Sequence, residues 1–109
     1  MIRKTKSDGP EEKILQAIVR MLTLRGWYTV RMHGNIHQYG FPDLFCTHTK
    51  YGIRLVEVKN PRSFKFTGAQ LDKFPKLQAN GAQVWVLTGS SEEEYGKLFK
   101  PGNFWAYLL

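Results

Sequence analysis

The sequence predicts a single α/β domain in which helices flank a mixed β-sheet. Three observations support this fold class. Apolar residues recur at helical spacing between Pro10 and Gly26. Two β-prone runs, residues 44–49 and 53–58, are joined by a short turn containing Gly52, which is typical of an antiparallel hairpin. A helical segment and a short apolar strand then follow, as a crossover to a parallel strand requires.

Chain length and charge restrict the class of protein further. At 109 residues the chain suffices for one domain with a modest core and is too short for two. We divide it into a basic tail, residues 1–9, and a domain, residues 10–109. The tail is expected either to fray or to act as a DNA-contacting arm. The formal net charge of +7 favours a polyanionic partner, with nucleic acid ahead of a membrane surface, although the charge would also serve solubility alone.

Cysteine usage and hydropathy indicate an intracellular protein. Cys46 is the single cysteine, so an intrachain disulfide and a cysteine-based zinc site are excluded, and this residue is expected in the core. The N-terminal residues lack an apolar signal core, and no apolar run approaches membrane-spanning length. We therefore expect a cytoplasmic protein without a membrane partner.

The first helix is predicted to begin near Pro10 and to end at Gly26. Asp8 with Glu11 three residues later fits a capping-box-like start. The apolar stripe predicted to face the core consists of Ile14, Leu15, Ile18, Val19 and Leu22.

The first strand is predicted at residues 27–32, before a polar loop. His33 and His37 in this loop are four residues apart, but Gly34 and Asn35 make it a poor helix, and a third clustered ligand is not evident. Loop packing or substrate contact is therefore favoured over zinc.

The second helix is predicted to open at Thr67 and to close at Gly81, with a kink or a split at Pro75. The next strand, residues 83–88, is apolar on both faces, which predicts a central parallel strand. Ser91 then fits an N-cap followed by three acids that favour a helix start.

The apolar segment 103–109 closes the chain. It is expected either to cover the core or to form a self-association patch.

The hairpin brings charged residues to its open end. A turn centred near residues 50 and 51 places Asp43 opposite residues 57–59. Alternation puts Glu57 and Lys59 on one face and Val58 on the other. Opposed residues have Cβ atoms ~5 Å apart, which is close enough for two carboxylates to share a divalent cation.

This motif resembles a nuclease signature. An Asp after Pro at the start of one strand, with Glu-x-Lys near the end of the next, is similar to the PD-(D/E)XK superfamily. The fuller pattern resembles its VRR-NUC branch over roughly residues 10–88. The residues that carry the resemblance are Gly40, Pro42, Asp43, Glu57, Lys59, Asn60 and Gln70.

The resemblance implies an αβββαβ restriction-endonuclease-like core and a catalytic group. Asp43 and Glu57 would bind Mg²⁺ or Mn²⁺, with the backbone carbonyl of Val58 as a further ligand. Lys59 would orient the attacking water, and Gln70 would form hydrogen bonds near the substrate. Because Thr67-x-x-Gln70 is also a capping box, we expect Gln70 to serve both roles only if its side chain is free of the cap.

The first helix offers two acids for the same site. Glu11 has a sufficient role as a capping residue. In VRR-NUC proteins a Glu four residues before a Gln is a common active-site member, and Glu12 with Gln16 resembles that pair. The alternative for Glu12 is a solvated acid at the helix start. Which of the two acids completes the metal site stays open.

Three basic residues are candidates for nucleic-acid contact: Arg62, Lys65 and His37. Phe64 and Phe66 alternate with the first two. These rings either stack on an unpaired base or anchor the loop while the cations reach into water.

The sequence as a whole therefore predicts a metal-dependent DNA endonuclease. The resemblance extends this to branched, flap or Holliday-junction DNA and to a homodimer. Two other classes stay open: a catalytically inactive nucleic-acid-binding module of the same fold, and a partner-binding protein. A partner-binding protein would use the apolar C-terminal segment and the three tryptophans, Trp27, Trp85 and Trp105.

Overall fold

The computed structural model describes residues 9–32 and 40–108. Its elements are α1 (Pro10–Leu24), β1 (Tyr28–Arg31), β2 (Leu44–His48), β3 (Gly52–Val58), α2 (Gly68–Ala79), β4 (Val84–Leu87), α3 (Glu92–Gly96) and two 3₁₀ helices (Lys97–Phe99 and Phe104–Leu108). The predicted order of helix, three strands, helix, strand and helix is confirmed. Residues 1–8 of the predicted basic tail lie outside the described residues, as do His33 and His37.

The four strands form one mixed sheet in the order β1-β2-β3-β4. The first three strands are antiparallel, and β4 runs parallel to β3, as a crossover through α2 requires. Leu44 pairs with Val56, so Asp43 lies opposite Glu57 one step beyond the last pair. The hairpin and its register are as predicted.

The predicted central position of β4 is wrong. Within the described residues, β4 lies at the edge of the sheet although all four of its residues are buried. The segment after α3 covers this edge. The side chain of Asn103 accepts a hydrogen bond from Val86 N (2.6 Å) and donates one to Val86 O (3.0 Å), as a neighbouring strand would. An edge covered in this way can carry an apolar strand.

Helix α1 begins one residue later than the predicted capping box requires. Its N-cap is Gly9, which provides no side-chain cap, and Pro10 is the first helical residue. The capping-box role predicted for Glu11 is therefore wrong, because Glu11 is the second helical residue and Glu12 the third.

One face of the sheet packs on α1 and the other on α2 with the C-terminal segment. Cys46 is fully buried on the α1 side, as predicted. The α1 cluster consists of Leu15, Ile18, Met21, Leu22, Trp27, Leu44, Cys46, Val56, Val58, Trp85, Leu87 and Leu98. We call the other cluster the aromatic core: buried Phe74, Val84, Val86 and Phe104, with partly buried Phe64, Phe66, Leu77 and Tyr107.

Helix α2 runs through Pro75 as one helix, so of the two predicted alternatives, a kink or a split, the split is wrong. Proline removes the hydrogen bond to the carbonyl of Leu71. Leu71 itself lies on the exposed face of the helix, where water can pair with a carbonyl freed in this way.

The C-terminal segment covers the core in part, as one of the two predictions holds, and self-association stays a prediction. Phe104 is fully buried and closes the aromatic core, whereas Trp105 (46% exposed) and Leu108 (40% exposed) lie on the surface. Among the described residues, no helix has the length and apolarity needed to span a bilayer.

Candidate active site

The site lies where β2 begins and β3 ends. Gly40 and Pro42 lead the chain into it. Gly40 has a φ of +80°, and a Cβ there would lie 2.5 Å from the carbonyl oxygen of Ala69. Only glycine permits this close approach, which holds the segment before Asp43 against the first turn of α2. Pro42 is buried directly before Asp43.

Asp43 is fixed by the backbone of the opposite strand. Its Oδ2 accepts a hydrogen bond from Val58 N at 2.8 Å. Val58 is buried in the α1 cluster, whereas Glu57 and Lys59 contact α2. The predicted alternation at the end of β3 is therefore confirmed.

Glu57, Lys59 and Gln70 form a closed, buried network. Gln70 Nε2 donates to Glu57 Oε2 at 2.7 Å, and Lys59 Nζ donates to Gln70 Oε1 at 2.9 Å. Lys59 Nζ also lies 3.3 Å from Glu57 Oε2. The exposed fractions are 1% for Glu57, 5% for Lys59 and 8% for Gln70. Charged residues this deeply buried are rare unless they are paired or bind a further ion.

Gln70 also caps α2, so the cap does not keep its side chain away from Glu57 and Lys59, and its role toward a substrate stays a prediction. Its Oε1 accepts from Thr67 N at 3.0 Å, and Gln70 N donates to Thr67 Oγ1 at 3.1 Å. An amide oxygen has two lone pairs, so it can accept from Thr67 and Lys59 together. The start of α2 is thereby tied directly to the site.

Burial dominates the titration of both carboxyl groups, and the charge of Asp43 adds to it at Glu57. Burial, and after it the negative charge of Asp43, raises the pKa of Glu57 to about 8. Burial also raises the pKa of Asp43, against the lowering effect of the hydrogen bond from Val58. Glu57 Oε1 is buried and accepts no hydrogen bond from any described residue. A buried carboxylate oxygen without a partner is costly, and a proton or a cation would relieve that cost.

Glu12 and Glu11 have different surroundings. Glu12 is buried and pairs with Arg31, whose Nη2 lies 2.5 Å from Glu12 Oε1, while Gln16 Nε2 donates to Oε2 at 3.3 Å. Glu11 is exposed, and its charge raises the pKa of Asp43. Both glutamates, with Asp43, line a cleft of about 350 Å³. Ligation of a cation by either one stays a prediction.

The donor set at the site suits a hard cation. Within residues 9–32 and 40–108, no three His, Cys, Asp or Glu side chains form a group that could hold a metal ion. Two carboxylates, one with a free buried oxygen, lie beside the Val58 backbone. Mg²⁺ is typically held by one or two carboxylates and keeps several waters, so the set fits Mg²⁺ or Mn²⁺ and does not fit an all-protein cage.

The predicted nucleic-acid contacts lie outside the buried network. Arg62 and Lys65 are exposed on the segment between β3 and α2. Arg62 N donates to Asn60 Oδ1 at 3.0 Å, which shapes the turn after β3. Phe64 and Phe66 belong to the aromatic core, so the loop-anchor alternative is supported. The third candidate, His37, lies outside the described residues.

Sequence reasoning missed two neighbours of the site. Arg31 pairs with Glu12, and only the register of β1 on β2, where Arg31 opposes Leu44, places it beside Asp43. Phe66 lies with its ring centroid 5.0 Å from Lys59 Nζ. The available signal was the alternation of rings and cations around residue 65, for which the sequence indicated either base stacking or loop anchoring and not a contact with Lys59.

Comparison with protein-family models, with curated proteins and with solved structures gave no match. The functional assignment therefore rests on the residues and geometry of this chain.

Proposed function

We propose that this chain is a Mg²⁺- or Mn²⁺-dependent DNA endonuclease of the VRR-NUC branch of the PD-(D/E)XK superfamily, with an αβββαβ restriction-endonuclease-like core. One observation carries the proposal. Asp43 and Glu57 lie together at one end of the hairpin, and Lys59 and Gln70 are joined to Glu57 by hydrogen bonds and charge. Each residue has an ordinary explanation by itself, but their convergence in one buried network favours a catalytic role.

The energetic state of Glu57 supports a cation at this position. A group with a structural role alone would be more stable with both oxygens paired, or as an apolar residue of similar volume. Here one oxygen is unpaired within the described structure, and a second carboxylate lies nearby. Such an arrangement lowers the stability of the metal-free protein. Proteins retain costs of this kind mainly where function requires them.

The residues present would divide the work of phosphodiester hydrolysis. Asp43, Glu57 and the carbonyl of Val58 would hold the cation. When bound, a divalent cation supplies Lewis-acid polarisation of the phosphate. Lys59 would orient the attacking water and offset negative charge in the transition state. Gln70 fixes Lys59 relative to Glu57 before substrate arrives, which reduces the entropy lost in the reaction.

The expected substrate is DNA, with branched, flap or Holliday-junction forms as the preferred class. The net charge of +7 counts all nine acids. Two of these acids contribute little to the surface, because Glu57 is buried and Asp43 is half-buried. The remaining surface is therefore more basic than the total. Arg62 and Lys65 are exposed on the segment that follows Lys59, where they would contact phosphates. A homodimer would present two such sites related by a two-fold axis.

The test is cleavage of supercoiled plasmid and of synthetic DNA junctions in Mg²⁺, in Mn²⁺ and in EDTA. We expect metal-dependent cleavage that falls roughly 10²- to 10⁴-fold in Asp43→Ala and in Lys59→Ala. The control is Arg25→Gln, which removes an exposed ion pair with Glu92 and leaves the site intact. Cleavage in EDTA, or full activity of Asp43→Ala, would refute the proposed metal-dependent mechanism.

The alternative function is a nucleic-acid-binding module without catalysis. It is favoured by the pairing of Glu12 with Arg31, which leaves two carboxylates, not three, in direct association at the end of the hairpin. Salt-sensitive DNA binding without cleavage in either metal would identify this module.

A further inference from the structure

The buried ammonium of Lys59 has a third neighbour besides Glu57 and Gln70. Lys59 Nζ lies 5.0 Å from the centroid of the Phe66 ring. A cation within about 6 Å of an aromatic centroid is attracted by the ring quadrupole, and the attraction increases when water is excluded. The Lys59 side chain is 6% exposed, so the contact is close to fully desolvated.

The Phe66 ring is held in place by three other rings of the aromatic core. Phe64, Phe74 and Phe104 each contact it edge-to-face. The centroid distances are 5.3, 6.0 and 5.3 Å, and the interplanar angles are 81°, 78° and 85°. Perpendicular contacts of this kind fix the plane of a ring and add to its burial energy. The orientation of Phe66 is therefore set by the core and not by Lys59.

We infer that Phe66 is a positioning residue for Lys59, holding its ammonium group at the site through a cation–π contact. The inference rests on the proposed function, because it assumes that Lys59 acts on the substrate. It assigns Phe66 a role that neither base stacking nor loop anchoring supplies.

An aromatic ring suits this position better than another oxygen would. The ammonium has three N–H donors, and Gln70 and Glu57 provide two oxygen acceptors. A further carboxylate would neutralise the charge that must later face a phosphate. A ring attracts the cation without adding negative charge and without fixing one N–H direction, so one donor stays free for a substrate oxygen.

The test replaces Phe66 with phenylalanines carrying one, two and three ring fluorines. Fluorination weakens the negative face of the ring while nearly preserving its shape, so it changes the cation–π attraction without a cavity. The matched control is the same series at Phe64, which stacks on Tyr107 (4.7 Å between centroids, 9°). Both series are made in the natural sequence and in Lys59→Met.

The first measurement is the thermal midpoint of unfolding, which does not depend on activity. At position 66 we expect the midpoint to fall more steeply with each added fluorine when Lys59 is present than in Lys59→Met, where only the ring contacts of the aromatic core remain. At position 64 the two backgrounds should give the same dependence. Equal dependence in both backgrounds at position 66 would overturn the inference.

The second measurement is the rate of metal-dependent cleavage. Loss of most of the cation–π attraction predicts a fall of roughly 2- to 30-fold from the unsubstituted ring to the trifluorinated ring at position 66, with little change at position 64. A cleavage rate that does not change with fluorination at position 66 would overturn the positioning role, and the proposed nuclease function would still hold. A Lys59-dependent change in midpoint without cleavage by any variant would instead overturn the proposed function, and the positioning role with it.

Discussion

Polar side chains at the two ends of the β2–β3 hairpin differ in whether all of their polar atoms have hydrogen-bond partners. At the turn end, His48 is satisfied on both ring nitrogens: Nδ1 accepts from Lys50 N at 3.0 Å, and Nε2 lies 3.2 Å from Arg25 O. Its ring also packs against Trp27 and Tyr51, with centroids 5.2 and 4.6 Å away. At the open end, Glu57 is more deeply buried, yet one of its oxygens has no partner among the described residues.

Within one hairpin, the polar residue at the turn end is thus explained by stability, whereas those at the open end would be explained by the proposed function. The polar residue at the turn end is explained by the fold, because both ring nitrogens have backbone partners and the ring packs on two aromatic side chains. At the open end, by contrast, the fold disfavours the charged form of Glu57, since burial and a second carboxylate raise its pKa to about 8. Local conflict of this kind is expected where a site is built for a ligand.

The sharpest test of this comparison is to replace one polar residue at each end. Glu57→Gln should stabilise the metal-free protein at pH 9 by about 1–3 kcal/mol, because it removes a buried charge while keeping the shape of the side chain. His48→Ala should destabilise it by about 1–2 kcal/mol through lost hydrogen bonds and ring packing. Urea unfolding in EDTA measures both. If both substitutions lowered stability at pH 9, the proposed contrast would fail.

The pH dependence of Glu57 has a definite sign. Its pKa is raised on folding from 4.5 to about 8, so the folded state binds this proton more tightly than the unfolded state. The resulting stability is fully present below about pH 4.5 and is lost as the pH rises to about 8. Metal-free protein should therefore lose stability across this range, and Glu57→Gln should lose less. Mn²⁺ should restore stability at pH 8.5 in the natural sequence and fail to do so in Glu57→Gln.

A smaller effect is expected from separating the two roles of Gln70. Thr67→Ala removes the cap alone and should cost about 1 kcal/mol. Gln70→Ala also removes the donor to Glu57 and the acceptor from Lys59, so we expect a cost of about 2–3 kcal/mol. Urea unfolding of both variants at pH 7 compares them. Equal costs would show that the contacts with the site add nothing to the stability of the cap.

The smallest effects concern two arginine–glutamate pairs. Arg25 pairs with Glu92 on the surface, and Arg31 pairs with the buried Glu12 beside the site. Arg25→Gln should change stability by less than about 0.5 kcal/mol. Arg31→Gln leaves Glu12 buried with Gln16 alone and should cost about 1–2 kcal/mol. The same unfolding measurement ranks them, and the reverse order would contradict the burial of Glu12.

The parts of this structure that follow local rules were predictable from the sequence. The turn at residues 50–52 fixes the register of β2 on β3, and the register fixes Asp43 opposite Glu57. Thr67 and Gln70 similarly predict the start of α2 from their spacing alone.

The parts that were missed depend on contacts between distant segments. The edge position of β4 is compatible with its apolar sequence because Asn103 covers that edge, and the sequence pattern does not place Asn103 beside Val86. The partner of Glu12 is Arg31, a contact that requires the packing of α1 on β1. The double contact of Gln70 was missed for a different reason, because its amide oxygen, which accepts from both Thr67 and Lys59, was treated as having room for one donor.

The side chain of Asn103 has a consequence for assembly. By occupying both the donor and the acceptor of Val86, it withdraws these two backbone groups from any chain that approaches that flank of the sheet. Strand addition at the middle of β4 would first have to displace the Asn103 side chain and break both hydrogen bonds.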